Sequence, residues 1–198
     1  MFDRRALLAA SPALFLPAVA LAAPTDWGEK LVVAARGQIG RTVVYDPAYV
    51  RLAYPGGDVP IERGVCSDVV IRAYRAAFGL DLQEKVHRDM AANFGAYPRT
   101  WGLHRPDSNI DHRRVPNLEV FLRRKGAQLP PGTPWKAGDL ITQRLLPGRY
   151  SHILIATGRR NLLGQEIIVQ NNGAGARLET PQLAAELFGH YRLDPRKA

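Results

Sequence analysis

One cysteine and a handful of histidines set what chemistry this chain can attempt. Cys66 is the sole cysteine in 198 residues, so it cannot close an internal disulfide and is an apolar filler, an intermolecular cross-link or a reactive thiol. Val69, Val70, Ala73 and Ala77 recur at helical spacing after it, which predicts a helix over Cys66 to Phe78 with the thiol in its first turn. There the positive end of the helix dipole stabilises a thiolate, so the sequence predicts an accessible, acidic thiol with a pKa of roughly 3.5–7.5 in place of the ordinary 8.5 or so. The Cys66 backbone N–H, unpaired within the helix, would supply one oxyanion donor.

A thiol nucleophile needs a base that takes its proton and later returns it to a leaving amine, and imidazole suits both steps near neutrality. His152 opens the apolar run His152-Ile153-Leu154-Ile155-Ala156, directly after the turn Pro147-Gly148-Arg149-Tyr150-Ser151. A histidine at a strand start is, taken alone, as readily a solvent-facing residue. Its place in the order cysteine helix, Gly138-Asp139-Leu140-Ile141, His152 strand, then a strand ending in Gln170 and Asn171, makes it the expected base. Side chains alternate along a strand, so one of Gln170 and Asn171 faces the site to orient the imidazole. Gln170 is favoured because Ile168 on its face continues the buried stripe, and Asn171 is the alternative.

The competing chemistry is metal-dependent hydrolysis through His87, Asp89, His104, Asp111 and His112. These show no His-Glu-x-x-His helix and no other tight ligand spacing, so neither a metal nor another cofactor is expected. Asp111-His112-Arg113-Arg114 is the densest polar cluster of the irregular stretch from Tyr97 to Val115. It is read as substrate-binding, with at least one arginine forking onto a substrate carboxylate. The alternative is a solvated cluster paired with neighbours such as Asp107.

The elements that must position these residues are helices over 26–38, 66–78, 81–94 and 116–125, and strands over 42–45, 139–144, 152–157, 166–171 and near 190–193, with Thr180-Pro181 opening a short helix before the last. Helices first and a run of antiparallel strands afterwards is the α+β arrangement. An apolar share of 46% and a charged share of 23% are those of an ordinary globular protein and exclude a disordered or fibrous one. Arg4 and Arg5 precede an apolar stretch from Ala6 to Ala20, then Ala20-Leu21-Ala22. This reads as a cleaved signal peptide over 1–22, leaving a single domain over 23–198. A membrane anchor would need roughly 20 uninterrupted apolar residues, and Pro12 and Pro17 interrupt these. Expected are a periplasmic or secreted location and no stable membrane insertion after cleavage. Loss of residues 1–22 takes the net charge from +9 to +8. That charge favours anionic cell wall or envelope over nucleic acid as partner.

The pieces Tyr54…Gly56-Gly57…Gly64-Val65-Cys66-Ser67, Ala137-Gly138-Asp139-Leu140 and Ser151-His152-Ile153-Leu154-Ile155 together resemble the NlpC-type cell-wall peptidases. More closely, Tyr45 to Tyr191 is similar to the bacterial domain-of-unknown-function family 1287, through Tyr54-Pro55-Gly56-Gly57-Asp58-Val59-Pro60 and Asn109-Ile110-Asp111-His112-Arg113-Arg114-Val115-Pro116-Asn117-Leu118. The resemblance implies a papain-like fold, N-terminal helices packed on a C-terminal antiparallel sheet. It also implies a cysteine amidase or peptidase acting on cell-wall peptides, with Cys66 as nucleophile, His152 as base and Gln170 as third residue, a position where family 1287 tends to carry His. Tyr54 is then expected as an oxyanion or site-lining residue. The Asp that usually precedes the nucleophile in the NlpC pattern is Val65 here, and Asp68 is the acid expected, with Tyr54, as an oxyanion or site-lining residue instead. The alternative within the same fold is a non-catalytic envelope-binding module.

Overall fold

The computed structural model describes residues 26–146 and 150–198; the expected signal segment and residues 147–149 of the expected turn lie outside them. Helix α1 (Trp27–Arg36) starts where Asp26 caps it, Oδ1 accepting the Gly28 N–H at 2.6 Å, and it buries Leu31, Val32 and Ala35. Helix α2 (Cys66–Phe78) has the expected bounds and ends on Gly79 in the left-handed region at φ 64°, where a Cβ would be penalised. Asp81 caps α3 (Leu82–Ala92), which stops at Asn93, before Gly95. Helix α4 (Val115–Arg124) follows the irregular stretch, with Pro116 in its first turn, where the missing N–H is harmless.

Strands β1 (Val44–Tyr45) and β2 (Arg63–Gly64) form a short parallel pair that sets Tyr45 opposite Gly64. The main sheet holds β3 (Leu140–Leu145), β4 (Tyr150–Arg160), β5 (Glu166–Asn171), β6 (Ala176–Glu179) and β7 (Ala185–Tyr191) in the order β6-β5-β4-β3-β7, every pair antiparallel. The described residues thus form a mixed α+β fold of four α-helices and a five-stranded antiparallel sheet. Thr180-Pro181 opens no helix, and β7 begins at Ala185 instead of near His190. The helix-favouring run Ala185-Glu186-Leu187 pairs along β3 from Leu145 inward, so the ladder overrides local propensity.

Ile153, Ile155 and Val169 pack on the sheet face covered by Leu31, Val70 and Phe121, while Leu154, Ala156, Ile168 and Ile141 gather on the other face with Trp135. Strand β4 is therefore buried on both sides, which is why its sequence is a continuous apolar run. The Gly138-Asp139 pair is structural. Gly138 has φ 83°, and a Cβ there would lie 2.6 Å from the Gly28 Cα of α1. Asp139, fully buried, accepts from His190 Nε2 at 2.7 Å and from Arg192 Nε at 2.7 Å.

Candidate functional site

The chain entering α2 is fixed at three points. Asp68, in the first turn, accepts the Val65 N–H at 2.7 Å; Asn171 Nδ2 donates to the Gly64 carbonyl at 2.9 Å; and Ser67 Oγ donates to the Arg113 carbonyl at 2.9 Å. Cys66 is 4% exposed and lines a cavity of about 770 Å³ with Tyr45, Tyr49, Trp101, Arg114 and Tyr150. Burial first, then the Asp68 charge, pushes its thiol up to about 11, against the N–H groups of Ile153, Ser67 and Cys66 itself, which favour the thiolate. The expected acidic, accessible thiol is thus corrected. The helix terminus does supply donors, but desolvation and a carboxylate in the same turn outweigh them.

His152 is 2% exposed and sits where β4 runs beyond its ladder with β5, which begins at Ile155 opposite Val169. Its Nε2 lies 2.7 Å from Gln170 Oε1, and Gln170 Nε2 donates to Glu179 Oε1 at 2.9 Å. A carboxylate can only accept, so Glu179 fixes the amide with its oxygen toward the ring. The ring's Nε2 then carries the proton and Nδ1 keeps the lone pair. Burial lowers the His152 pKa, opposed by the Gln170 hydrogen bond and the Glu179 charge. The resting thiol and imidazole are both neutral. The Ile153 N–H is near enough to the sulfur to favour its thiolate, which sets Cys66 near the residue that follows His152 on β4. Of the two candidates for the residue beside the imidazole, Gln170 meets it. Asn171, on the opposite face, clasps Gly64 and accepts the Gly175 N–H at 3.1 Å.

Other expected site residues have different posts. Tyr54 is 41% exposed and meets the edge of His87, ring centroids 5.0 Å apart; the hydroxyl at the Cys66 sulfur belongs to Tyr45, whose pKa is pushed up to about 12 by burial and by the negative charge of Cys66 and Asp68. Asp68 is clamped by Arg113, Nε at 3.0 Å and Nη2 at 3.0 Å; it does not line the cavity, and as a carboxylate accepting the Val65 N–H it caps α2 and is not an oxyanion donor. Arg113 gives two further donors to the carbonyls of Ala48 and Asp46 at 2.9 and 3.0 Å. Asp111 is fully buried, its Oδ2 taking the Asp107 N–H at 2.8 Å and lying 2.9 Å from His87 Nδ1; burial raises its pKa. His112 is buried with Nδ1 unpartnered, and burial together with Arg75 and Arg113 lowers its pKa to about 3. Of the four-residue cluster, only Arg113 and Arg114 border the cavity; Arg113 is held by Asp68 and the two carbonyls, whereas no acceptor among the described residues takes a hydrogen bond from the Arg114 guanidinium. Asp89 of the metal set is taken by Arg124 Nε at 2.6 Å and Tyr97 at 2.6 Å, and among the described residues no three potential metal-ligating side chains converge.

Sequence reasoning missed Tyr45, Trp101 and Glu179. The alternation Ala176-Arg177-Leu178-Glu179 was the available signal for a further strand carrying an acid beside β5. Nothing local marks Tyr45, which reaches Cys66 through the β1–β2 pairing.

The sequence profile of a domain of unknown function, DUF1287, matches residues 32–193. The chain belongs to the DUF1287 family. It is 52% identical over 161 residues to the uncharacterized protein YijF of Escherichia coli (strain K12), covering 80% of this chain and 78% of that protein. The DUF1287 match spans Tyr45, Cys66, Arg114, His152, Gln170 and Glu179. Its Tyr54–Pro60 segment is scaffold. Gly57 N–H donates to Gln83 Oε1 at 2.8 Å, and Arg72, 6% exposed, forks onto Asp58 at 2.7 and 3.0 Å. This holds the loop that delivers β2, and hence Cys66, to the sheet.

Proposed function

We propose that this chain is an exported cysteine hydrolase, an amidase or peptidase of papain-like, NlpC-type architecture that cleaves amide bonds in cell-wall peptides. One observation carries the reading: the hydrogen-bonded run Glu179–Gln170–His152 on β4, whose next residue, Ile153, turns its backbone N–H toward the helix-terminal Cys66 that lines a large cavity. Gln170 would hold the ring with Nδ1 free to act as base, the orienting role such a third group plays for a nucleophile and its base.

In the proposed reaction Nδ1 of His152 takes the thiol proton as the sulfur bonds to the amide carbon, so that the ion pair forms during attack and not before it. The oxyanion is met by the Cys66 N–H and the Tyr45 hydroxyl. The imidazolium then protonates the departing nitrogen as the C–N bond breaks, leaving a thioester and a free amine. Water, losing its proton to the same imidazole, opens the thioester to a carboxylic acid and restores the thiol.

The buried thiol, pushed up to about 11, favours a second reading, an envelope-binding module of the same fold without turnover. Digestion of purified muropeptides by residues 23–198, followed by mass spectrometry, separates the two. Peptide-bond products that vanish with Cys66→Ala support the hydrolase; muropeptide binding with no product in the wild type supports the module.

A further inference from the structure

Arg113 and Arg114 are adjacent, yet the fold treats them oppositely. Arg113 is closed off by Asp68 and two carbonyls. Arg114, the residue that precedes α4, lays its guanidinium over the Trp101 ring with Cζ 4.2 Å from the centroid. Its Nη1 is buried and has no hydrogen-bond partner. Nη1 is out of reach of water, but among the described residues no acceptor takes a hydrogen bond from the Arg114 guanidinium, so its remaining N–H donors on the cavity wall are open to an acceptor brought by a ligand.

Two features make that acceptor an anion. Arg114, Val115 and Pro116 all line the cavity, so the positive end of the ten-residue α4 opens onto it. Trp101 supports one face of the guanidinium and fixes its plane, which favours bidentate binding of a carboxylate along its edge. The acids nearest in charge are Asp107 and Asp111. Asp107 accepts from the Tyr49 hydroxyl at 2.9 Å and from Asn109 Nδ2 at 2.8 Å. Asp111 turns Oδ2 toward His87 and the Asp107 N–H but leaves Oδ1 unpartnered, which makes it the rival partner for Arg114.

We infer that Arg114 is the specificity residue of the Cys66 cavity and that the ligand taken there is a peptide bearing a free carboxylate, held on the guanidinium edge. The inference rests on the hydrolase reading and deepens it by naming the substrate class. The Cys66→Ala chain, which holds substrate without turnover, would be titrated calorimetrically with a synthetic stem tetrapeptide carrying free carboxylates and with the same peptide fully amidated. The wild type would be assayed on both. The free-carboxylate form should bind about 10- to 100-fold more tightly. Arg114→Ala and Arg114→Gln should erase that preference, and Arg114→Lys should restore part of it. Equal affinity for both peptides, or a preference that survives Arg114→Gln, overturns the inference, and so does a fall in melting temperature with the preference unchanged, which would assign Arg114 to Asp111. Cleavage without any carboxylate preference overturns only the inference. An Arg114-dependent preference with no cleavage by the wild type overturns only the hydrolase reading.

Discussion

Gln170 gives its amide nitrogen to Glu179 at 2.9 Å and its oxygen to His152 at 2.7 Å, so an acid on β6 decides which nitrogen of a β4 histidine carries the proton. The link is directional. Gln170→Ala should leave a buried ring N–H unpaired, costing about 1–3 kcal/mol of stability, and should lower turnover about 100-fold. Gln170→His, which keeps one donor and one acceptor, should retain much of it. Chemical denaturation and kcat on the same samples test this, and equal activity in Gln170→Ala would remove Gln170 from the site.

Two tyrosines compete for the post at the sulfur, and the fold gives it to Tyr45. Tyr45→Phe should lower kcat by about 10-fold or more with little change in KM, since an oxyanion donor acts in the transition state. Tyr54→Phe, remote from Cys66, should leave kcat unchanged. The opposite ranking would restore Tyr54 to the site.

The α+β order and the bounds of α2 and β5 were legible because hydrophobic period and cap residues encode them locally. What was not legible depends on contacts between distant segments. Tyr45 stands opposite Gly64 only through a two-residue parallel pair. Glu179 meets Gln170 only through the β5–β6 pairing, a partnership that the local alternation of residues 176–179 does not encode. Arg113 and Arg114 are indistinguishable in the chain, and only packing against Asp68 or Trp101 tells them apart.

The neutral resting thiol has a kinetic signature. Alkylation of the folded protein by iodoacetamide should keep rising with pH beyond 9, because burial holds the thiol up to about 11, whereas the urea-unfolded chain should level off just above the ordinary thiol pKa of about 8.5. A plateau below pH 8 in the folded protein would show a preformed thiolate instead.

The Arg113–Asp68 pair is nearly sealed from solvent, with side-chain exposures of 2% and 4%. Removing one member strands the other charge, so Arg113→Ala should cost about 3–5 kcal/mol by urea titration. Asp68→Asn with Arg113→Met should recover part of that loss. If Arg113→Ala kept full stability and lost only affinity for carboxylate peptides, Arg113 and not Arg114 would be the ligand residue.

Acid should unfold this protein earlier than its carboxylates alone would dictate. His112, lowered to about 3, and His152, lowered by burial, are neutral in the fold, while in the unfolded chain both bind protons below about 6.5. The unfolded state therefore binds more protons than the native state, and stability falls as pH falls. The stabilisation is complete above about 6.5 and is lost from there downward, reaching the His112 limit near pH 3, at up to 1.4 kcal/mol or so per pH unit for each imidazole. Between pH 7 and 5 the ordinary carboxylates stay ionised in both states, and Asp111, raised by burial, works in the opposite direction, so a decline in this window reports the histidines. Urea titrations at half-unit steps should show the unfolding free energy declining there, and His112→Asn should reduce the proton uptake on unfolding by about one. A flat profile from pH 7 to 5 would mean that one or both rings are charged in the native protein, and a charged His152 would leave no lone pair to accept the Cys66 proton.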